Sequence, residues 1–324
     1  MLKYYNIKNN ILSSCSEREI EDSPTGPIWV DIFDPTLSEE KLIEQYLKIN
    51  ITTKDEITPL VLSSHHYKNQ GGLYVTATII AADKEMQNVT FIFTEGKIIT
   101  LRYATFHSFE RFLSYIKSNC DDTFTNISMF TSLMEAVINE LGDSLEEIGR
   151  SIINISSSIF SAKNNSRKSH KKKKLNFNKL IDQIGDNGDL IARNHESLIS
   201  IYCALIYILE TKQFSPIHKD IEKIHNLIDD ISPLKDRASF LSQKLDFLLD
   251  VCLGKISIEQ NRIIKIVSIA ALIFFPPTII ATVYGMNFDV MPELHWHWGY
   301  PFALLLIILS AILPYVYFKY KDWI

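Results

Sequence analysis

Two uncharged runs near the C-terminus restrict this chain more than any other feature. Ile266 to Tyr284, IVSIAALIFFPPTIIATVY, and Tyr300 to Phe318, YPFALLLIILSAILPYVYF, are each 19 residues long without an acidic or basic side chain. A hydrocarbon core about 30 Å thick is crossed by roughly 20 residues of helix. Each run is therefore read as a membrane-spanning helix, against the alternative of two helices buried in a soluble core. Lys255, Arg262 and Lys265 precede the first run and Lys319 and Lys321 follow the second, whereas Gly285 to Gly299 contains no lysine or arginine. Basic flanks stay on the cytoplasmic side, so both termini are expected there, with the loop between the spans on the far side. The N-terminal MLKYYNIKNNILSSCSE has no apolar stretch of the kind that marks a cleavable leader.

The rest of the chain reads as water-soluble. Charged residues make up 22% of the 324, an ordinary fraction, and the net charge of −5 is too small to define a partner. Cys15, Cys120, Cys203 and Cys252 are scattered with no CxxC pair, as reduced cytosolic thiols are, and unlike a disulfide framework or a zinc cluster. One local charge run stands out, SAKNNSRKSHKKKK from Ser161 to Lys174. It reads as a solvated linker between helices, able to touch anionic lipid. Without interleaved aromatics it does not read as a nucleic-acid site, and no nucleic-acid partner is expected.

The first third reads as mixed α/β. IWVDIF (Ile28 to Phe33), LYVTATII (Leu73 to Ile80), NVTFIFT (Asn88 to Thr94) and KIITLRY (Lys97 to Tyr103) are rich in β-branched and aromatic residues, and TEGK predicts a hairpin between the last two. SEEKLIEQYLKI, after Leu37, predicts a helix. No phosphate loop, nucleophile elbow or metal-hydrolase motif is present, so an enzyme is not expected. His65 and His66 are adjacent, a spacing that points two ligands in different directions. From Phe124 the pattern turns helical. Phe124 to about Phe160 and Leu175 to about Leu209 carry apolar residues at three and four spacing and predict an antiparallel pair. Ser232 followed by Pro233 then predicts the cap and first turn of a third helix. No stop follows until Gly285, and Pro276 and Pro277 lie inside this helix, where a kink is tolerated in a membrane.

Along that helix, at 100° per residue, Asp250, Ser257, Asn261, Ser268 and Phe275 fall within about 20° of one line, with Thr282 about 40° away. A polar row facing lipid is costly, so it must face another helix or water. Small polar groups joining helices are the simpler explanation. Two spans cannot enclose a pore, so a water-lined row requires several copies around an axis. Asp289 and Glu293 are the only charged residues between the spans, and a ring of such loops would concentrate cations at an outer mouth. Trp296, Trp298 and Tyr300 fit an interfacial aromatic belt. His295 and His297 are read as interfacial beside them, with transition-metal binding as the alternative.

YGMNF at Tyr284 to Phe288, MPEL at Met291 to Leu294 and the W-x-x-G-Y-P closure at Trp296 to Pro301 resemble the CorA magnesium transport family, whose signature is matched by Gly285, Met286 and Asn287. GDNGDLIARNHESLISIYCALIYIL at Gly185 to Leu209 and the KYKDWI tail resemble the same family. The resemblance implies a homopentamer in the cytoplasmic (inner) membrane: a funnel-shaped cytosolic α/β domain, a long stalk helix lining the pore and a second span outside it. Matched without a gap from the signature, the family's pore positions fall on Asp250, Asn261, Ile264, Val267, Phe275, Thr278 and Thr282. Ser257 joins them from the polar row. Ile264, Val267 and Phe275 resemble an apolar constriction.

The division expected is a cytosolic α/β domain at 1–123, a helical hairpin region at 124–231 and a stalk helix with the first span at 232–284. The extracytoplasmic loop at 285–299, the second span at 300–318 and a basic cytosolic tail at 319–324 follow. Magnesium is expected as both transported ion and regulator, with cobalt or nickel as secondary ions and no organic cofactor. Asn287 and Asp250 are assigned to the hydrated ion in the pore, and Asp229, Asp230 and Asp246 to cytosolic sensing. A zinc transporter of the same superfamily and a membrane-anchored sensor or interaction protein are the alternatives.

Overall fold

A computed structural model describes residues 2–8, 11–15, 28–36, 39–41, 44, 49, 51, 66–69, 72–94, 96–116, 125–161, 176–211, 218–286, 291–292 and 296–321. The chain divides into two compact units, Met1–Leu248 and Leu249–Ile324.

The first unit is built on a seven-stranded sheet of order β2-β1-β3-β7-β6-β5-β4. Its strands are β1 (Leu2–Lys8), β2 (Ile11–Cys15), β3 (Trp29–Phe33), β4 (His66–Asn69), β5 (Gly72–Ile80), β6 (Met86–Thr94) and β7 (Lys97–Arg102). Only the central pair, β3 and β7, is parallel. The hairpin expected at TEGK is present, with Thr94 opposite Lys97. Gly96 turns it at φ 74°, a conformation that costs glycine nothing. The central strands are buried on both faces, which is why they read as continuous apolar runs. On one face Phe91 and Phe93 meet Phe130 edge-on, at 5.0 and 5.3 Å. On the other, Val30, Ile32, Ile92, Ile99 and Leu101 form a separate cluster with Tyr74.

A buried ion pair ties the parallel strands together. Arg102 donates from Nε and an η nitrogen to both oxygens of Asp31, at 3.0 and 2.9 Å, and the Thr100 hydroxyl, itself an acceptor for the Trp29 indole, donates to the same carboxylate. Trp29 stacks on Tyr5 at 4.5 Å and meets Phe112 edge-on.

Helix α1 (His107–Ile116) follows the sheet. The expected antiparallel pair is α2 (Asn126–Ser161) and α3 (Phe177–Glu210), the latter capped by the Asn176 side chain. Helix α3 also lies along β5, where Ser200 accepts from the Thr78 backbone N–H at 2.8 Å. Of the helix expected in SEEKLIEQYLKI, residues 39–41 and 44 are helical and Ile49, the last of the stretch, is not; the others lie outside the described residues.

The third long helix, α4 (His218–Tyr284), spans 67 residues. It opens earlier than Ser232, which corrects the start expected there: Ser232 and Pro233 lie inside it. Pro233 removes the hydrogen bond to the Asp229 carbonyl, and Asp229 and Pro233 both lie on the exposed side of the helix, where the loss costs least. Meanwhile Ile224, Leu227, Ile231, Ala238 and Leu241 bury one continuous face and hold the helix through the proline. Its first turn is anchored to α2, because Asp220, 5% exposed, accepts from the hydroxyls of Thr125 and Ser128 at 2.9 and 2.7 Å.

The second unit contains the remainder of α4 and α5 (Gly299–Tyr320). Both helices are long and apolar enough to cross a membrane, and only 6% of each apolar window is buried, unlike a helix in a soluble core. The helix continues through Pro276 and Pro277 and ends at Tyr284, before Gly285 as expected.

Candidate permeation site

Every residue assigned to the pore row on α4 is exposed in the protomer: Asp250, Ser257, Asn261, Ile264, Val267, Phe275, Thr278 and Thr282, together with Ser268. Exposure alone does not set this row apart, since most of the span is open. The pattern of cover does. Within the span, Ile269 is buried, and Ile273, Pro276, Pro277, Ile280 and Tyr284 are half-buried. At 100° per residue that stripe is centred about 140° round the helix from the polar row. The second span carries a matching half-buried stripe at Ala303, Leu306, Ser310 and Pro314, ending on buried Phe318. The polar row is thus the side of α4 that its own unit leaves bare.

Two hydroxyls in the row have a defined polarity. Thr278 Oγ1 donates to the Phe274 carbonyl at 2.7 Å and Thr282 Oγ1 donates to the Thr278 carbonyl at 2.6 Å. Each hydroxyl's single proton is therefore committed to its own helix, and what remains outward is lone pairs. A hydrated cation presents water protons, which those lone pairs accept. Ile264, Val267 and Phe275, 62%, 63% and 66% exposed, add apolar surface on the same side of the helix.

At the end of the span, Gly285 N–H caps the carbonyls of Ala281 and Thr282 at 3.0 and 3.2 Å. A Cβ at Gly285 would stand 3.2 Å from the Ala281 oxygen, tighter than a side chain tolerates without a shift. Met286 is exposed and its N–H reaches the Val283 carbonyl. Asn287, Asp289, Glu293 and His295 lie outside the described residues. Trp296, Trp298 and Tyr300 are exposed, as an interfacial belt requires, and Trp296 packs 5.8 Å from Phe302.

The cytosolic metal candidates are not gathered in the protomer. Asp229, Asp230 and Asp246 are all exposed on α4, and among the described residues no group of three or more His, Cys, Asp or Glu is arranged to hold a metal. His66 stacks on Tyr207 at 5.0 Å, and His65 lies outside the described residues. The half-buried stripe on α4 went unread in the sequence; the signal for it was the apolar spacing Ile269, Ile273, Pro276, Ile280.

The model of the CorA-like Mg2+ transporter protein family matches residues 25–320. The magnesium transport protein CorA of Wolinella succinogenes is 28% identical over 322 residues, covering 96% of this chain and 95% of that one. The protein of the same name from Escherichia coli K12 is 27% identical over 330 residues, with all of both chains covered. In fold, the chain is similar to the complete structure of the CorA magnesium transporter from Methanocaldococcus jannaschii, with a TM-score of 0.76 at 15% identity over 100% of this chain and 98% of that one. With nearly the whole length matched, from the sheet to the end of the second span, the chain belongs to the CorA-like Mg2+ transporter family.

Proposed function

We propose that this chain assembles as a homopentamer in the cytoplasmic membrane and conducts hydrated magnesium along the bare polar row of α4. The observation that carries this reading is the pairing of a half-buried stripe on one side of the span with an exposed row of oxygen-bearing residues on the other. A single copy would present that row to lipid, at a cost, and a ring of copies presents it to water. Family membership supports magnesium as the cargo, with cobalt and nickel as secondary ions. Both termini lie in the cytoplasm on this reading, and 285–299 forms the outer loop.

The chemistry follows from the ion. Magnesium demands octahedral oxygen and releases its waters reluctantly, so a path that reads the water shell avoids the cost of stripping it. Asn287 from each copy supplies a neutral amide oxygen at the outer mouth, with Gly285 and Met286 completing the filter. Thr282 and Thr278 follow with outward lone pairs. Neutral acceptors bind weakly enough for the ion to leave. Phe275, Val267 and Ile264 form an apolar constriction that closes by dewetting, and Asn261, Ser257 and Asp250 return the path to polar surface. Cytosolic magnesium held between copies, with Asp229, Asp230 and Asp246 as ligand candidates, favours the closed state.

Magnesium flux into liposomes containing the purified protein tests this, with internal magnesium varied. Asn287→Ala is expected to reduce flux at least tenfold, about 1.4 kcal/mol of lost stabilisation, and raised internal magnesium is expected to suppress flux in the parent. Unchanged flux in Asn287→Ala would sink the filter assignment, and a flat response to internal magnesium the gating. Zinc carried in preference to magnesium would reassign the cargo.

A further inference from the structure

Pro276 and Pro277 stand side by side within α4, and both are half-buried. Neither has an N–H, so the carbonyls of Leu272 and Ile273 lose the donors that an α-helix would give them. After a single proline the next residue's N–H can serve the freed carbonyl through a local π adjustment. For the Leu272 carbonyl that next residue is Pro277, which has no N–H to give.

This gap in the ladder has a direction. At 100° per residue the two prolines are centred about 140° round the helix from the polar row, on the half-buried stripe. On the opposite side bonds are added: the Thr278 hydroxyl donates to the Phe274 carbonyl at 2.7 Å and the Thr282 hydroxyl to the Thr278 carbonyl at 2.6 Å. Turns released on the proline side and held on the other let α4 bend with its convex side on the stripe. Phe275 stands at the vertex, as the middle residue of the uncharged run Ile266 to Tyr284. A bend of about 20° between arms of about 14 Å moves that vertex by about 2 Å toward the stripe. In a ring of copies this is about 4 Å across the axis, more than the width of one water molecule.

We propose that Pro276 and Pro277 are positioning residues for Phe275: bending at the pair draws the ring off the axis and wets the constriction, and straightening returns it. The proposal rests on the apolar constriction given under the proposed function and adds the joint that works it.

Magnesium flux through the full-length protein in liposomes tests it. Pro276→Ala with Pro277→Ala restores both N–H groups, so the melting temperature should be at least the parent's while flux falls about tenfold. Adding Phe275→Ala to that variant is expected to return flux to the level of Phe275→Ala alone, a rescue that a merely misfolded protein would not show. Parent-level flux in the double alanine variant would overturn the proposal, and so would a loss that Phe275→Ala fails to rescue. Pro277→Ala, which restores the Ile273 bond alone, is expected to lose about threefold, and the same two outcomes decide the matter on it where the double variant does not assemble. Phe275→Ala by itself separates the two readings. Unchanged flux there defeats the constriction, whereas raised flux there beside parent-level flux in the double alanine variant defeats only the joint.

Discussion

Tyr103, just past the end of β7, has its hydroxyl raised from the usual 10.0 to about 12, first by burial and then by the carboxylates of Glu40 and Asp34. Because the folded protein holds this proton more tightly than the unfolded chain, the contribution to stability is complete below pH 10. It is lost as pH rises through about 12. Tyr103→Phe keeps the ring and removes the titrating group, so the loss of thermal stability between pH 10 and 12 should be shallower in the variant than in the parent. Parallel alkaline slopes in circular dichroism melts of the two proteins would refute it. Neither this residue nor the Asp31–Arg102 pair was legible in the sequence. Asp31 sits inside IWVDIF and reads as a strand residue of unknown orientation, and its guanidinium partner is 71 positions away. A period-two pattern shows which side of a strand is apolar, but not which distant strand supplies the charge that makes an acid tolerable there.

Among the elements, those with a long or uniform pattern were legible and those depending on a partner were not. β3, β5, β6 and β7 show as β-branched runs because both faces of the central sheet are buried. β1, LKYYNIK, pairs antiparallel with β3, yet its apolar and polar residues follow no period-two alternation. The opening of α4 was misread for a related reason: Ser232 and Pro233 are a valid local start, overruled by a buried face that continues on both sides of them. The polar row on α4, in contrast, was visible from helical spacing alone, while the direction of its hydroxyl protons was not. That direction leads to a prediction. Thr282→Val preserves shape and removes the outward acceptor, and should lower magnesium flux per assembled channel about fivefold, the equivalent of one hydrogen bond of roughly 1 kcal/mol. Thr282→Ser, which keeps an oxygen able to donate to the Thr278 carbonyl, should retain most of the flux. Equal flux in Thr282→Val and the parent would mean that the row at this level does not touch the ion's waters.

At the scale of the assembled molecule, the outer loop and the filter make separable contributions under the proposed function. Asp289 and Glu293 are the only acidic residues between Gly285 and Gly299, so a ring of copies brings two carboxylates each to the outer mouth and no lysine or arginine to offset them. Their effect there is on local cation concentration, and it acts through a distance that salt controls, about 30 Å at 0.01 M ionic strength and about 3 Å at 1 M. Asn287 is neutral and acts by contact, so its effect is not screened in this way. Asp289→Asn with Glu293→Gln should therefore reduce magnesium flux by up to about tenfold at low ionic strength and approach the parent at about 1 M. Asn287→Ala should be impaired to a similar degree at both. If the charge-neutralised variant keeps its deficit at high salt, the carboxylates bind the ion directly and belong with the filter. If Asn287→Ala recovers at high salt, the amide has no contact role and selection occurs deeper, at Thr282 and Thr278.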